Sequence, residues 1–278
     1  MHGAGNDYIY VYLPNDEDER DWSAVARAVS HRHYGIGADG LILVLPDREM
    51  DFGMRMFNAD GSEGQMCGTG IRCLCRYVWD RGLTQKTELV IRTASGPIKA
   101  RLITHREGLE AVEVNLGKPR LRRSDVPMKG LPHEIVIGES LPVGAVTFQV
   151  TCLSMGNPHC VIFVDDVWAV RLEELGPLIE HHSAFPDRTN VEFVQVINSS
   201  RLAMRIWERG SGITLSSGTG SAASAVAAVL NEKADRHVTV QVPGGELEVH
   251  WHQDGEVWQR GDAVDICSGM YNWEAMQT

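Results

Sequence analysis

An α+β protein of two similar halves is predicted by three observations. Short segments rich in β-branched and aromatic residues, or alternating apolar and polar, recur along the whole chain, while four segments have helical spacing. The chain is 278 residues long, enough for two domains of ordinary size. A small residue followed by Gly-Thr-Gly also opens a helix twice, at positions roughly 150 residues apart, and a Gly-Asn pair precedes each copy; a period of that size reads as duplication of a whole domain.

Taken in order, strands are predicted over residues 8–13, 41–45, 51–57, 88–93, 98–103 and 111–116. The turn signal Asn58-Ala59-Asp60-Gly61 punctuates them. A helix is predicted over 22–32, and another from near Cys67 to about Trp79, where Ile71, Leu74, Cys75 and Val78 fall at helical spacing. A polar, proline-containing stretch, 117–132, follows. Strands then resume over 134–137, 147–153, 159–164, 191–197, 202–208, 238–242, 247–250 and 264–267, with Pro243-Gly244-Gly245 as a turn. The remaining helices cover 170–180 and the segment from Ser217 to about Glu232, with Ala222, Ala225, Val226, Val229 and Leu230 as its apolar positions.

Composition narrows the function. Hydrophobic residues make up 43% and charged residues 23%, which supports an ordinary globular core. A net charge of −11 argues against nucleic acid or an anionic membrane as partner. It leaves room for an anionic small molecule, since a single arginine can read a carboxylate inside an acidic protein. No apolar run is long enough to span a membrane, and the N-terminus lacks the basic and apolar regions of a signal peptide. A cytoplasmic location is therefore expected. The cysteines, Cys67, Cys73, Cys75, Cys152, Cys160 and Cys267, fit no zinc spacing, and no metal is expected. Five of them read as small buried hydrophobes.

Cys67 reads differently. It stands immediately before Gly68-Thr69-Gly70 at a helix start, where the helix field lowers a thiol's pKa and suits it to act as base or nucleophile. Ser217 stands in the same place before Gly218-Thr219-Gly220. Glycines in such a turn let the backbone aim several N–H groups at a ligand. The glycines are not followed by Lys-Ser/Thr, so the turn is no P-loop. The echo also pairs Gly5-Asn6-Asp7 with Gly156-Asn157-Pro158. Further polar residues lie at strand ends: Asn58, His159, Asn190 and the pair Glu208-Arg209. A carboxylate beside a guanidinium suits an amino-acid head, ammonium to Glu208 and carboxylate to Arg209.

Together the stretches MHGAGNDY, HYGIGADGLILV, FNADGSEGQMCGTGIRC, SMGNPHCVIFV, RTNVEFVQV and WERGSGITLSSGTGSAA resemble the diaminopimelate epimerase family over nearly the whole chain. The resemblance implies two pseudo-symmetric domains, each a mostly antiparallel sheet wrapped around a central helix, with substrate in the cleft between them. It implies a domain of residues 1–116 plus 262–278 carrying Cys67, and a domain of 117–261 carrying Ser217. It implies cofactor-independent epimerisation of LL- to meso-diaminopimelate in lysine and cell-wall biosynthesis, and a homodimer. By motif, Cys67 and Ser217 take the two acid/base positions. Asn6, Asn58, Asn157, Asn190, Glu208 and Arg209 take substrate-binding positions, as do Gly68, Thr69, Gly218 and Thr219 at the helix starts. His159 lies beside the site.

The chain departs from the family pattern at three places. Ser217 stands where the second cysteine is usual, Thr69 where asparagine is usual, and Ile213 where glutamate is usual; Ser216 and Ser221 differ too. A hydroxyl is far less acidic than a thiol. Beside the epimerase, the sequence therefore leaves open a racemase or single-base dehydratase on another amino acid, and a non-catalytic amino-acid-binding relative.

Overall fold

The computed structural model describes residues 1–15, 20–64, 66–106 and 108–272. Residues 273–278, part of the segment assigned above to the first domain, lie outside the described residues. The chain divides into two compact units, Met1–Val114 with the segment from Gly261 onward, and Asn115–Arg260.

The first unit runs β1 (His2–Gly3), β2 (Asn6–Tyr12), α1 (Trp22–Ser30), β3 (Gly40–Pro46), β4 (Phe52–Asn58), β5 (Glu63–Gly64), α2 (Gly68–Asp80), β6 (Glu88–Thr93), β7 (Gly96–His105) and β8 (Gly108–Asn115). Strands β2 and β3 pair in parallel, as do β4 and β6; β1–β2, β3–β4, β4–β5, β6–β7 and β7–β8 are antiparallel. Helix α1 is capped by Asp21, whose carboxylate accepts from Ala24 N–H at 3.0 Å. It buries Trp22, Val25, Ala26 and Val29 against Leu41, Leu43 and Phe57. Helix α2 buries its first two turns continuously from Gly68 to Cys75, because it runs through the unit's core.

The second unit opens with a single 3-10 turn at Arg123–Asp125 and then runs β9 (Val136–Val143), β10 (Val146–Ser154), β11 (Pro158–Phe163), α3 (Leu172–Glu180), β12 (Asn190–Asn198), β13 (Arg201–Glu208), β14 (Gly212–Thr214), α4 (Gly218–Leu230), β15 (His237–Val242), β16 (Gly245–Trp251) and β17 (Val257–Gly261). Its pairings repeat those of the first unit in the same order. β11–β12 and β13–β15 are parallel; β12–β13, β13–β14, β15–β16 and β16–β17 are antiparallel. Helix α4 carries small or apolar residues on every side and buries Ala222, Ala223, Ala225, Val226, Ala227 and Ala228, with Ser221 and Ser224 bonding back to the helix's own carbonyls. A helix enclosed on all faces must be hydrophobic all round, and its small side chains let strands approach from several directions. It packs on β10, β11, β12, β13, β15 and β16.

Each unit is thus a mostly antiparallel sheet about a central helix. Several boundaries differ from expectation. Residues 264–267 form no strand; Val264 makes only an isolated antiparallel bridge with His2, at 2.8 and 3.0 Å. Ile266 beyond it is exposed, so its apolar side chain has no second layer to pack on. The strand expected at 134–137 begins at Val136 and extends to Val143, because a hairpin turn through Gly144 (φ +60°) pairs it with β10. Strand β17, with its buried Trp258 and Gln259, was not expected from the sequence, since a central glutamine breaks the apolar run.

Strand pairing also places Asn58. Gly40 faces Asn58 across β3–β4, and a Cβ there would lie 2.1 Å from the Phe57 carbonyl oxygen and 2.9 Å from the Tyr8 ring. Gly40→Ala is expected to destabilise the fold by about 1–3 kcal/mol, the usual cost of overpacking. Thermal denaturation measures it, and an unchanged midpoint would show that β4 can yield freely.

Candidate active site

Both Gly-Thr-Gly turns are helix starts, and in both the preceding residue is the N-cap. Cys67 (φ −142°, ψ 115°) accepts on Sγ from Gly70 N–H at 3.2 Å. Ser217 (φ −139°, ψ 124°) accepts on Oγ from Gly220 N–H, also at 3.2 Å. The two side chains therefore occupy equivalent positions in their units. The following N–H groups and the helix dipole favour negative charge at each place. Cys67 is half-buried and Ser217 is 7% exposed.

In the first unit Asn6 Nδ2 lies 3.9 Å from Cys67 Sγ. Asn6 follows the tight turn Ala4–Gly5, both at positive φ (48° and 81°), and the Ala4 amide is held by Asp262 Oδ1 at 2.9 Å. Thr69 is buried, and its hydroxyl accepts from Arg72 Nη2 at 3.1 Å. Arg72 is fully buried; desolvation pushes its pKa down, opposed by nearby acidic groups that include Cys67. Asn58 closes its own loop, donating from Nδ2 to Ser62 Oγ at 2.9 Å.

In the second unit Asn157 plays the part of Asn6. It follows Gly156 (φ +100°), as Asn6 follows Gly5. Its Nδ2 donates to Thr219 Oγ1 at 3.3 Å, and its Oδ1 meets His159 Nε2 at 2.9 Å. His159 Nδ1 in turn lies 2.6 Å from Glu192 Oε1, with both side chains fully buried. Behind Ser217, the Ser221 hydroxyl donates to the Ser217 carbonyl at 2.6 Å, and Gln259 Nε2 donates to Gly218 O at 2.8 Å. Asn190 is buried and ties two motifs together: its Nδ2 donates to Pro158 O at 2.7 Å, and its Oδ1 accepts from Arg209 N–H at 2.9 Å. Glu208 Oε1 accepts from the Thr214 hydroxyl at 2.6 Å, and Arg209 Nη1 donates to Asp187 O at 3.1 Å. The Arg209 side chain is exposed.

Of the expected residues, Asn6 meets Cys67 in the first unit, and in the second Asn157 meets Thr219 and His159 while Asn190 meets Arg209; Asn58 bonds within its own loop. Four residues around them were not expected: Arg72, Glu192, Thr214 and Gln259. The signal for Arg72 and Glu192 was present, since each is a charged residue within an otherwise apolar run of a helix or strand. Gly35, Gly37 and Gly40 have dinucleotide-turn spacing, but they join α1 to β3, whereas that turn runs from strand to helix. Among the described residues no group of three His, Cys, Asp or Glu side chains could hold a metal ion.

This architecture is shared with solved isomerase structures. A probable proline racemase from Agrobacterium radiobacter superposes with a TM-score of 0.65 at 16% identity, covering 94% of this chain and 88% of that one. A methylitaconate-delta-isomerase superposes at 0.64, also 16% identical, covering 96% and 93%. The chain belongs to the diaminopimelate epimerase family. The sequence model of that family, diaminopimelate epimerase, matches residues 1–122 and 151–266. The diaminopimelate epimerase of Moorella thermoacetica is 47% identical over 270 residues, 97% of this chain and 96% of that protein. That of Acetivibrio thermocellus is 46% identical over 271 residues, again 97% and 96%.

Proposed function

We propose that this chain is an isomerase that converts LL-diaminopimelate to meso-diaminopimelate by removing the Cα proton on one face and returning a proton on the other. The observation that carries the reading is the pair of equivalent N-caps, Cys67 and Ser217, each opening a Gly-Thr-Gly helix start within a chain of this family. Cys67 is the group able to take a proton near neutral pH, since a thiol at a helix N-terminus is more acidic than a free one. Ser217 is the hydroxyl at the matching place and delivers or relays the second proton.

The chemical difficulty is the carbanion at Cα, whose charge spreads onto the α-carboxylate. Preorganised N–H groups and helix dipoles are suited to that charge as it develops. Gly68, Thr69, Gly218 and Thr219 supply them. Asn6 and Asn157 stand beside these turns. Glu208, Arg209, Asn58 and Asn190 read the distal amino-acid head, Glu208 its ammonium and Arg209 its carboxylate. We place the protein in the cytoplasm as a homodimer, an assembly that sedimentation equilibrium measures directly. No helix among the described residues is long and apolar enough to cross a membrane.

Incubation with each isomer in deuterated water tests the reaction. Interconversion with deuterium at Cα is the expected result. Exchange without inversion would reduce the chemistry to one base, and no exchange with either isomer would overturn the reading.

A further inference from the structure

Glu192 is the third residue of β12, in the run Asn190-Val191-Glu192-Phe193-Val194, and is fully buried. The titratable groups facing it are His159 and the Cys160 thiol of β11, which pairs with Cys152 of β10. From β13 it meets Ile206, its cross-strand partner, and from α4 it meets Gly220, where an added Cβ would stand 3.2 Å from Glu192 Oε1. Glu192 Oε1 contacts His159, while Oε2 has no hydrogen-bond partner among the described residues.

A hydrogen-bonded chain therefore runs Glu192–His159–Asn157–Thr219, ending at the second residue of α4's helix-start turn. Such a chain has two polarities. In one, Glu192 carries a proton and donates to His159 Nδ1; His159 Nε2–H donates to Asn157 Oδ1; Asn157 Nδ2 donates to Thr219 Oγ1. The Thr219 hydroxyl, already accepting, then offers its own proton outward. In the other, a Glu192 carboxylate accepts from Nδ1–H, Asn157 donates to Nε2, and the Thr219 proton is spent on Asn157. Of these two arrangements of a neutral histidine, only the first gives Thr219 a donor for a developing carboxylate charge; an imidazolium between a Glu192 carboxylate and Asn157 would orient Thr219 the same way, at the cost of a buried ion pair.

We propose that Glu192 is a positioning residue: a neutral carboxylic acid that donates to His159 Nδ1 and, through His159 and Asn157, orients the Thr219 hydroxyl as a donor at the start of α4. The inference rests on the reading of that helix start as part of the epimerase site. Three facts support it. Asn157 faces His159 with its oxygen and Thr219 with its nitrogen. An unpaired buried oxygen such as Oε2 is far less costly on a neutral carboxyl than on a carboxylate. Burial pushes the Glu192 carboxyl above its usual range, opposed by His159. A buried ion pair would need both partners desolvated with every lone pair satisfied, which the unpaired Oε2 does not meet.

Nitrogen-15 NMR of histidine-labelled protein reads the proton directly, with the His159 signals assigned by their loss in His159→Gln. The expected state near neutral pH is the Nε2–H tautomer with an unprotonated Nδ1. An imidazolium or the Nδ1–H tautomer would overturn the proposal whatever the substrate. Turnover of LL-diaminopimelate supplies the second arm. Glu192→Met, of similar length with no donor, should lower kcat/KM by about tenfold, and Glu192→Gln, whose amide can donate to Nδ1, should restore most of it. Equal losses in both variants would refute the donor role. If the unaltered protein shows the Nε2–H tautomer yet turns over neither isomer, the epimerase reading fails and the proton arrangement stands.

Discussion

Replacing Cys67 is expected to abolish deuterium incorporation at Cα and to lower the rate of inversion by about 10²–10⁴-fold, the range contributed by a positioned acid/base group. Cys67→Ser is the informative variant. The N-cap acceptor matters to helix α2 itself, and removing a cap costs about 1 kcal/mol. Serine preserves it, and the protein already shows this: Ser217 Oγ accepts from Gly220 N–H at the same 3.2 Å that Cys67 Sγ keeps from Gly70 N–H. The serine variant should therefore fold with an unchanged thermal midpoint while losing exchange. Cys67→Ala should lose exchange and some stability together. If Cys67→Ser retained full exchange, another group would have to be the base.

Ser217→Cys is expected to have the opposite effect, raising inversion by about 10–100-fold if the proton on that face limits turnover. The substitution exchanges one N-cap acceptor for another at a position 7% exposed, so the backbone frame already fits. What changes is acidity. A free thiol titrates near pH 8.5 and the helix start lowers it further, whereas the serine hydroxyl does not ionise in this range. Deuterium exchange separates the two steps: with Ser217 in place, exchange from one face should outrun inversion, and with cysteine the two rates should converge. An unchanged ratio of exchange to inversion would mean that Ser217 is not the limiting group.

Both expectations depend on features that were legible in the chain. The Gly-Thr-Gly repeat, its residue at the cap and the helix after it are local matters. Glycine freedom, N-cap chemistry and 3.6-residue periodicity act within one turn, so the helix starts, Cys67 and Ser217 could be read without tertiary information. So could most of the strands, and the kinship of the two Gly-Asn turns, whose glycines adopt positive φ in both units (81° and 100°).

Other features were decided by partners remote in sequence. Residues 264–267 have strand character, but a strand needs a neighbour, and only Val264 meets one, at His2. Strand β17 exists despite Gln259 because α4 offers that glutamine a carbonyl and a hydroxyl. The second unit's proton chain could not be read from spacing, since it joins residues 157, 159, 192 and 219 from three strand or loop segments and a helix. Alone, the sequence determined the two helix starts and the unequal acidity of their caps, because both follow from local backbone and side-chain chemistry. Which buried polar groups stand behind those caps, and which way their hydrogen bonds point, was settled only when the sheets closed around the helices and removed water from Glu192, His159 and Arg72.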